Sequence, residues 1–219
     1  MKKFFVSFFF LSLFLVFSIL IILSTKGVET DKFNNILLKK IKENNRYLDV
    51  KLSTIKFKLD IKELSLFLET NNPIIVYRDT NIPAKNIKIY INFVSIIKSE
   101  TKLEKINLVL DQLDIQELKK ISSILKPSNL NSFINNRVHK GKLDLEIEFY
   151  LDKKNSLNDF IAKGSVSNLK TQLKKDFFLE NISFKFFADK SDILLKNIKG
   201  DNEGLNFEEG DLKINFSSE

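Results

Sequence analysis

The sequence predicts a mainly β fold with a few helices (α+β): a curved, largely antiparallel amphipathic sheet or groove behind one N-terminal transmembrane helix. Three observations predict it. Residues 4–23 carry no charge behind a short basic start. Apolar residues then recur with a period of two in one segment after another, the signature of strands with one greasy face. That period breaks once, at about residues 115–136, where the apolar spacing becomes helical and predicts an insert.

The opening run "MKKFFVSFFFLSLFLVFSILIILSTKG" is interrupted only by Ser7, Ser12 and Ser18 between its ends at Phe4 and Leu23. At about 1.5 Å per residue such a helix matches a hydrocarbon core of roughly 30 Å. A cleaved secretory signal has a shorter apolar region and a small-x-small site, which "IILSTKGVE" lacks, so residues 1–26 read as an uncleaved signal-anchor. Lys2 and Lys3 oppose a mixed "KGVETDK" flank, which places the amino terminus in the cytoplasm and exports the rest. In a two-membrane bacterium this means a single-pass inner-membrane protein with its bulk in the periplasm. Residues 27–46 follow as an amphipathic helix, with Phe33, Ile36, Leu37 and Ile41 at helical spacing. That helix would cap the end of a sheet or lie at a lipid interface.

Residues 47–219 form the β-rich part. Ile55, Phe57, Leu59 and Ile61 share one parity, and at Lys62–Glu63 the parity slips to Leu64, Leu66 and Leu68, so a tight turn or bulge is expected there. A short strand at 74–77 sits among prolines and turn formers. Alternation returns through Ile87, Ile89, Ile91 and Phe93, and "INLVLDQLDI" adds a strand. Ile115, Leu118, Ile121, Ile124 and Leu125 then make a helical stripe that Pro127 ends, with a second short helix in "SNLNSFINNRV". Beyond the insert, "KLDLEIEFYLD" sends Leu143, Leu145, Ile147, Phe149 and Leu151 to one face. Four more strands follow: "DFIAKGSVSNLK", "ENISFKFFAD" with Ile182, Phe184 and Phe186 on one side, "SDILLKNIKG" and "LNFEEGDLKINF". The chain stops on the last of them, and an uncovered strand is a template for further pairing. The architecture is therefore expected to continue beyond Glu219.

Composition narrows the chemistry. With 43% hydrophobic and 29% charged residues the chain is not disordered. Net charge is +7, and the three lysines flanking the apolar run leave +4 for the remainder, a mild surplus for which the AT-rich codon bias of Lys, Asn, Ile and Phe is the cheaper explanation and a nucleic-acid or acidic-lipid role the other. No Lys/Arg–aromatic interleaving points to nucleic acid. The absence of cysteine removes disulfides, thiolate zinc sites and a Cys nucleophile. His139, the single histidine, lies in a polar loop without a nucleophile at recognisable spacing. Asp144, Glu146 and Glu148 alternate with apolar residues and read as the wet side of a sheet rather than a catalytic pair. "DNEGLNFEEGD" lacks the spacing of a calcium loop. No catalytic residue, cofactor site or metal site is expected, and nothing argues for an enzyme.

The order of features resembles the AsmA-type envelope proteins, a superfamily that includes TamB-like proteins and is related to chorein-type bridge-like lipid-transfer proteins. The resemblance is carried by "NPIIVYRDTNIPAKNIKIYINFVSIIKSETKLEKINLVLDQLDI", which looks like the N-terminal part of that family, and by "AKGSVSNLKTQL…ENISFKFFAD…ILLKNIKGDNEG", which is similar to its later repeats. It implies a β-groove with an apolar lining, tethered to the inner membrane, that binds or conducts phospholipid between envelope membranes and supports outer-membrane integrity. Outer-membrane or envelope-assembly proteins are the partners it implies.

The alternative is a non-enzymatic envelope-assembly scaffold, or a lipopolysaccharide-transport adaptor, whose apolar rows form a closed core. Alternation cannot separate the two. Burying five such side chains contributes about 8–15 kcal/mol whether protein or lipid covers them.

Overall fold

A computed structural model of the chain describes residues 2–30, 34, 38, 42, 46–63, 65–91, 102–152, 156–175, 177–202 and 204–216. The amphipathic helix expected over 27–46 is replaced at its start by a short strand, Val28–Thr30, and its remainder, the connector at 92–101 and Phe93 lie largely or wholly outside the described residues.

Helix α1, Lys2–Thr25, is long and apolar enough to cross a membrane, and none of its hydrophobic span is buried against the rest of the chain. Ser18 and Thr25 donate their hydroxyls to carbonyls one turn back, which satisfies them without a partner outside the helix. Gly27, at φ 72, turns the chain from this helix into β1, Val28–Thr30.

The remaining strands are β2 (Leu48–Lys51), β3 (Ile55–Asp60), β4 (Ser65–Asn71), β5 (Ile74–Tyr77), β6 (Thr80–Ile91), β7 (Leu103–Leu110), β8 (Leu113–Asp114), β9 (Val138–Leu151), β10 (Leu157–Lys174), β11 (Phe177–Ala188), β12 (Asp192–Asn202), β13 (Leu205–Phe207) and β14 (Leu212–Asn215). They form one antiparallel sheet in the order β1-β3-β4-β6-β7-β9-β10-β11-β12-β13, which does not close into a barrel. Strand β5 pairs with the first part of β6 and carries β2 with it, so this corner branches off the main sheet. Chain neighbours are mostly sheet neighbours, as expected for a meander.

Local chemistry sets the joints. Asp60 accepts the amides of Lys62 and Glu63 and closes the turn where the parity slips. Arg78 and Asp79 both take positive φ and make the two-residue hairpin between β5 and β6. In β10, β11 and β12 a left-handed asparagine (Asn168, Asn181 and Asn197) lies within or beside a shift of register. Asparagine tolerates that conformation, and each irregularity bends its strand and adds twist. The insert is a helical pair, α2 (Ile115–Ile124) and α3 (Asn129–Arg137). Asp114 and Glu117 form a capping box at the start of α2, and Ser128 caps α3 through the Asn131 amide.

Two further features differ from the sequence reading. Ile61 shares the parity of β3 but sits in the turn and is 62% exposed, because the Asp60 turn ends the ladder one residue earlier. The segment "LNFEEGDLKINF" is interrupted: β13 and β14 both pair with β12 in one continuous register, and residues 208–211 between them are not in the ladder. Asp211 there accepts the amide of Asn197, whose left-handed backbone breaks the pleat opposite.

Candidate functional site

The register gathers the predicted apolar residues on one face. Phe57, Leu68, Ile89, Ile106, Phe149 and Phe160 are successive cross-strand partners over six strands. A parallel row runs Ile87, Leu108, Ile147, Ala162, Ala188, Ile193 and Ile214. A third runs Leu145, Gly164, Phe186, Leu195 and Leu212. Ile55, Leu59, Ile91, Leu143, Leu151, Ile182 and Phe184 fall on the same face by strand parity. Thus every predicted row residue within a described strand shares this surface.

What covers the surface changes along the sheet. Ile55, Leu68, Ile89 and Ile91 form a buried cluster with Leu52, Phe57, Ile87, Leu103 and Ile106 against it. A second cluster, Val50, Ile75, Ala84, Leu110 and Leu113, lies beneath Leu118 and Ile121 of α2 and reaches Leu143 and Leu145. Past that point no buried cluster covers the face among the described residues. Among the apolar residues of β9 to β14 only Val138 and Ile182 are buried; Ile147, Phe149, Phe160, Phe184 and Phe186 are half-buried, and Leu212 and Ile214 are exposed.

Gly164 belongs to the open half, and a side chain there would fall onto the Asp144 carbonyl and the Phe186 ring. Its place in the row is therefore filled from both sides, and Phe186 lies over it. The participation of β7, β10 and β12 in the rows is visible in sequence only once the register is known, because "DFIAKGSV" puts Ala162 and Gly164 where large side chains would mark the pattern.

The opposite face is ionic. Glu69 lies between Lys58 and Lys88 and accepts from Asn86. Glu148 accepts from Tyr150 and Lys163 and faces Lys105. Glu146 pairs with Lys163 and accepts from Asn107; Asp144 accepts from Gln112 and Ser165. Burial alone would raise the Glu69 carboxyl, but the hydrogen bond and charge of Lys58, with help from Asn86 and Lys88, hold it below the ordinary value. At Glu148 burial likewise pushes the carboxyl up, and Tyr150, Lys163 and Lys105 overcome it and hold the carboxyl below the ordinary value. Burial and the neighbouring carboxylates push the phenols of Tyr90 and Tyr150 up to about 12. A shallow concavity of about 550 Å³ on this face is lined by Lys85, Asp144, Glu146, Lys163, Lys185 and Phe187, with both charge signs present. The three carboxylates of β9 are thus each engaged in a cross-strand network. His139 is exposed beside the Phe178 ring, 5.8 Å between centroids.

No protein-family model, curated protein or solved structure matches the chain.

Proposed function

We propose that this chain is a non-enzymatic, inner-membrane-anchored lipid-binding protein whose half-open apolar sheet face holds the acyl chains of phospholipid. One observation carries the reading: the apolar rows run on across the sheet, yet among the described residues the buried clusters that cover them end at β9. Monomeric proteins rarely leave contiguous apolar surface beyond a few hundred Å² to water. Acyl chains match a surface of aligned aliphatic and phenyl groups that is non-directional and long in the cross-strand direction. The span in α1 supports a tether to the bilayer, and the lysines at its start support a cytoplasmic amino terminus with the sheet exported to the periplasm. The AsmA-like order of anchor and amphipathic strands agrees with a role in moving phospholipid between envelope membranes. The closed-core alternative describes β3 to β6, where the rows meet two buried clusters, but among the described residues no such cluster lies on β10 to β14.

The test is mass spectrometry of phospholipid retained by the full chain after extraction in mild detergent, compared with Ile147→Asp. Retained phospholipid that is lost in a variant with unchanged circular dichroism is the expected result. A wild-type chain that retains none and takes up none from vesicles would sink the proposal.

A further inference from the structure

The helical pair α2–α3 carries a surface that neither the sheet nor the anchor explains. From Leu118 to Leu143 the sequence holds six Lys or Arg (Lys119, Lys120, Lys126, Arg137, Lys140 and Lys142) and no Asp or Glu. Setting these six and the three lysines around α1 aside from the chain's 35, the remaining 26 face 28 acids. The net positive charge outside the anchor is therefore concentrated on this stretch, with Lys119, Lys120, Lys126 and Arg137 on the helical pair or the loop within it and Lys140 and Lys142 on the first residues of β9, which a codon bias spread over the whole chain does not explain. None of the six forms an ion pair with another described residue, and all but Lys119 are exposed.

Apolar side chains stand among these charges. Leu130 is 64% exposed, Leu125 50% and Phe133 38%. Leu130, Phe133 and Arg137 follow one another at three and four residues, a single outward stripe of α3. Inward, α2 packs Leu118 and Ile121 over the second core cluster, and the Arg137 carbonyl accepts the Thr171 hydroxyl of β10. The Asn131 side chain donates to the Lys126 carbonyl at 2.7 Å, which fixes the connecting loop on α3. The pair is therefore held to the sheet by one side, beside the start of the open half, and presents greasy and cationic groups together on the other.

We infer that the outer side of α2–α3 is a docking surface for an anionic phospholipid bilayer. Leu125, Leu130 and Phe133 enter the headgroup boundary, and the basic side chains lie at the level of the lipid phosphates. This combination distinguishes a bilayer from an acidic protein, because a bilayer supplies an apolar layer beneath its charged one. Docking there sets the end of the open apolar face next to a membrane surface. The inference does not depend on lipid occupying that face.

The test uses the full chain with α1 embedded in phosphatidylcholine nanodiscs, so that the span is already satisfied. These are co-sedimented with sucrose-loaded vesicles of phosphatidylcholine alone or with phosphatidylglycerol added, and empty nanodiscs give the background. Expected is sedimentation with the phosphatidylglycerol vesicles only, weakened by salt. From the attraction that each basic residue near an anionic surface contributes, Lys126→Glu with Arg137→Glu should lower the affinity about tenfold or more. Leu130→Ser with Phe133→Ser, both exposed and so neutral for folding, should lower it similarly. Equal binding to both vesicle types, no binding by the wild type, or binding that survives both double variants would overturn it.

Discussion

Leu68 on β4 and Phe149 on β9 stand in the same cross-strand row, yet they live in different surroundings. Leu68 is 2% exposed and packs with Ile55, Ile89 and Ile91, whereas Phe149 is half-buried and belongs to no buried cluster. Their strands have the same alternation, the same antiparallel pairing and an ionic opposite face. The difference is cover. Apolar alternation specifies which face avoids water, and the other layer decides whether that face becomes core or remains a site.

This comparison can be broken or sharpened by substitution. The largest effect belongs to the covered half: Leu68→Ala should lose about 2–5 kcal/mol of unfolding free energy, the usual result of deleting a buried leucine. Thermal or denaturant unfolding of the full chain in micelles measures it, and a loss no larger than that of Leu195→Ala in the open half would erase the distinction. Next comes Gly164→Ala, which drives a methyl group into the Asp144 backbone and the Phe186 ring and should cost about 1–3 kcal/mol. Neutrality there would mean that the open half is loosely built. A smaller cost, about 1–2 kcal/mol, is expected for Asn168→Val, which forces a branched residue into the left-handed region at φ 50, while Asn168→Gly should be nearly neutral.

The ionic face predicts a pH dependence in direction. The folded-state values of Glu69 and Glu148 lie below the ordinary 4.5. Their contribution is therefore complete above pH 4.5 and is lost as pH falls below it, through the folded-state values. Melting temperature should decline over that acid window, and Glu69→Gln with Glu148→Gln should flatten the decline. An unchanged acid profile in the double variant would show that the lysine network around them adds nothing.

Much of the fold was legible in the sequence, for identifiable reasons. Strict alternation from Leu143 to Leu151 fixes the face of β9, and the parity slip at Lys62–Glu63 marks a turn, because a period of two tolerates no extra residue. Ile115, Leu118, Ile121 and Ile124 at helical spacing, with Pro127 after them, announce α2. Ile61 falls outside the ladder although it keeps the parity, since parity alone does not say where a ladder ends; the Asp60 side chain does. The break between β13 and β14 depends on Asn197 across the pairing, a non-local cause. The site was half legible: its residues follow from alternation, but their exposure depends on which strands α2 covers. The basic, acid-free stretch from Leu118 to Leu143 is plain in the sequence, and its place in the proposal depends on the outward exposure of Leu130 and Phe133.

The central claim is that one apolar row packs against the buried cluster of Ile55, Leu68, Ile89 and Ile91 at β3, where Phe57 is itself half-buried, and is lipid-facing at β9. Phe57 and Phe149 occupy that row and are both phenylalanines, so each can be replaced separately by p-benzoylphenylalanine with little change of shape. Irradiation in native membranes, followed by intact-mass analysis of the chain, reads contact with lipid directly. The account predicts a phospholipid adduct at position 149 and none at 57. Adducts at both positions, or at neither, would contradict it.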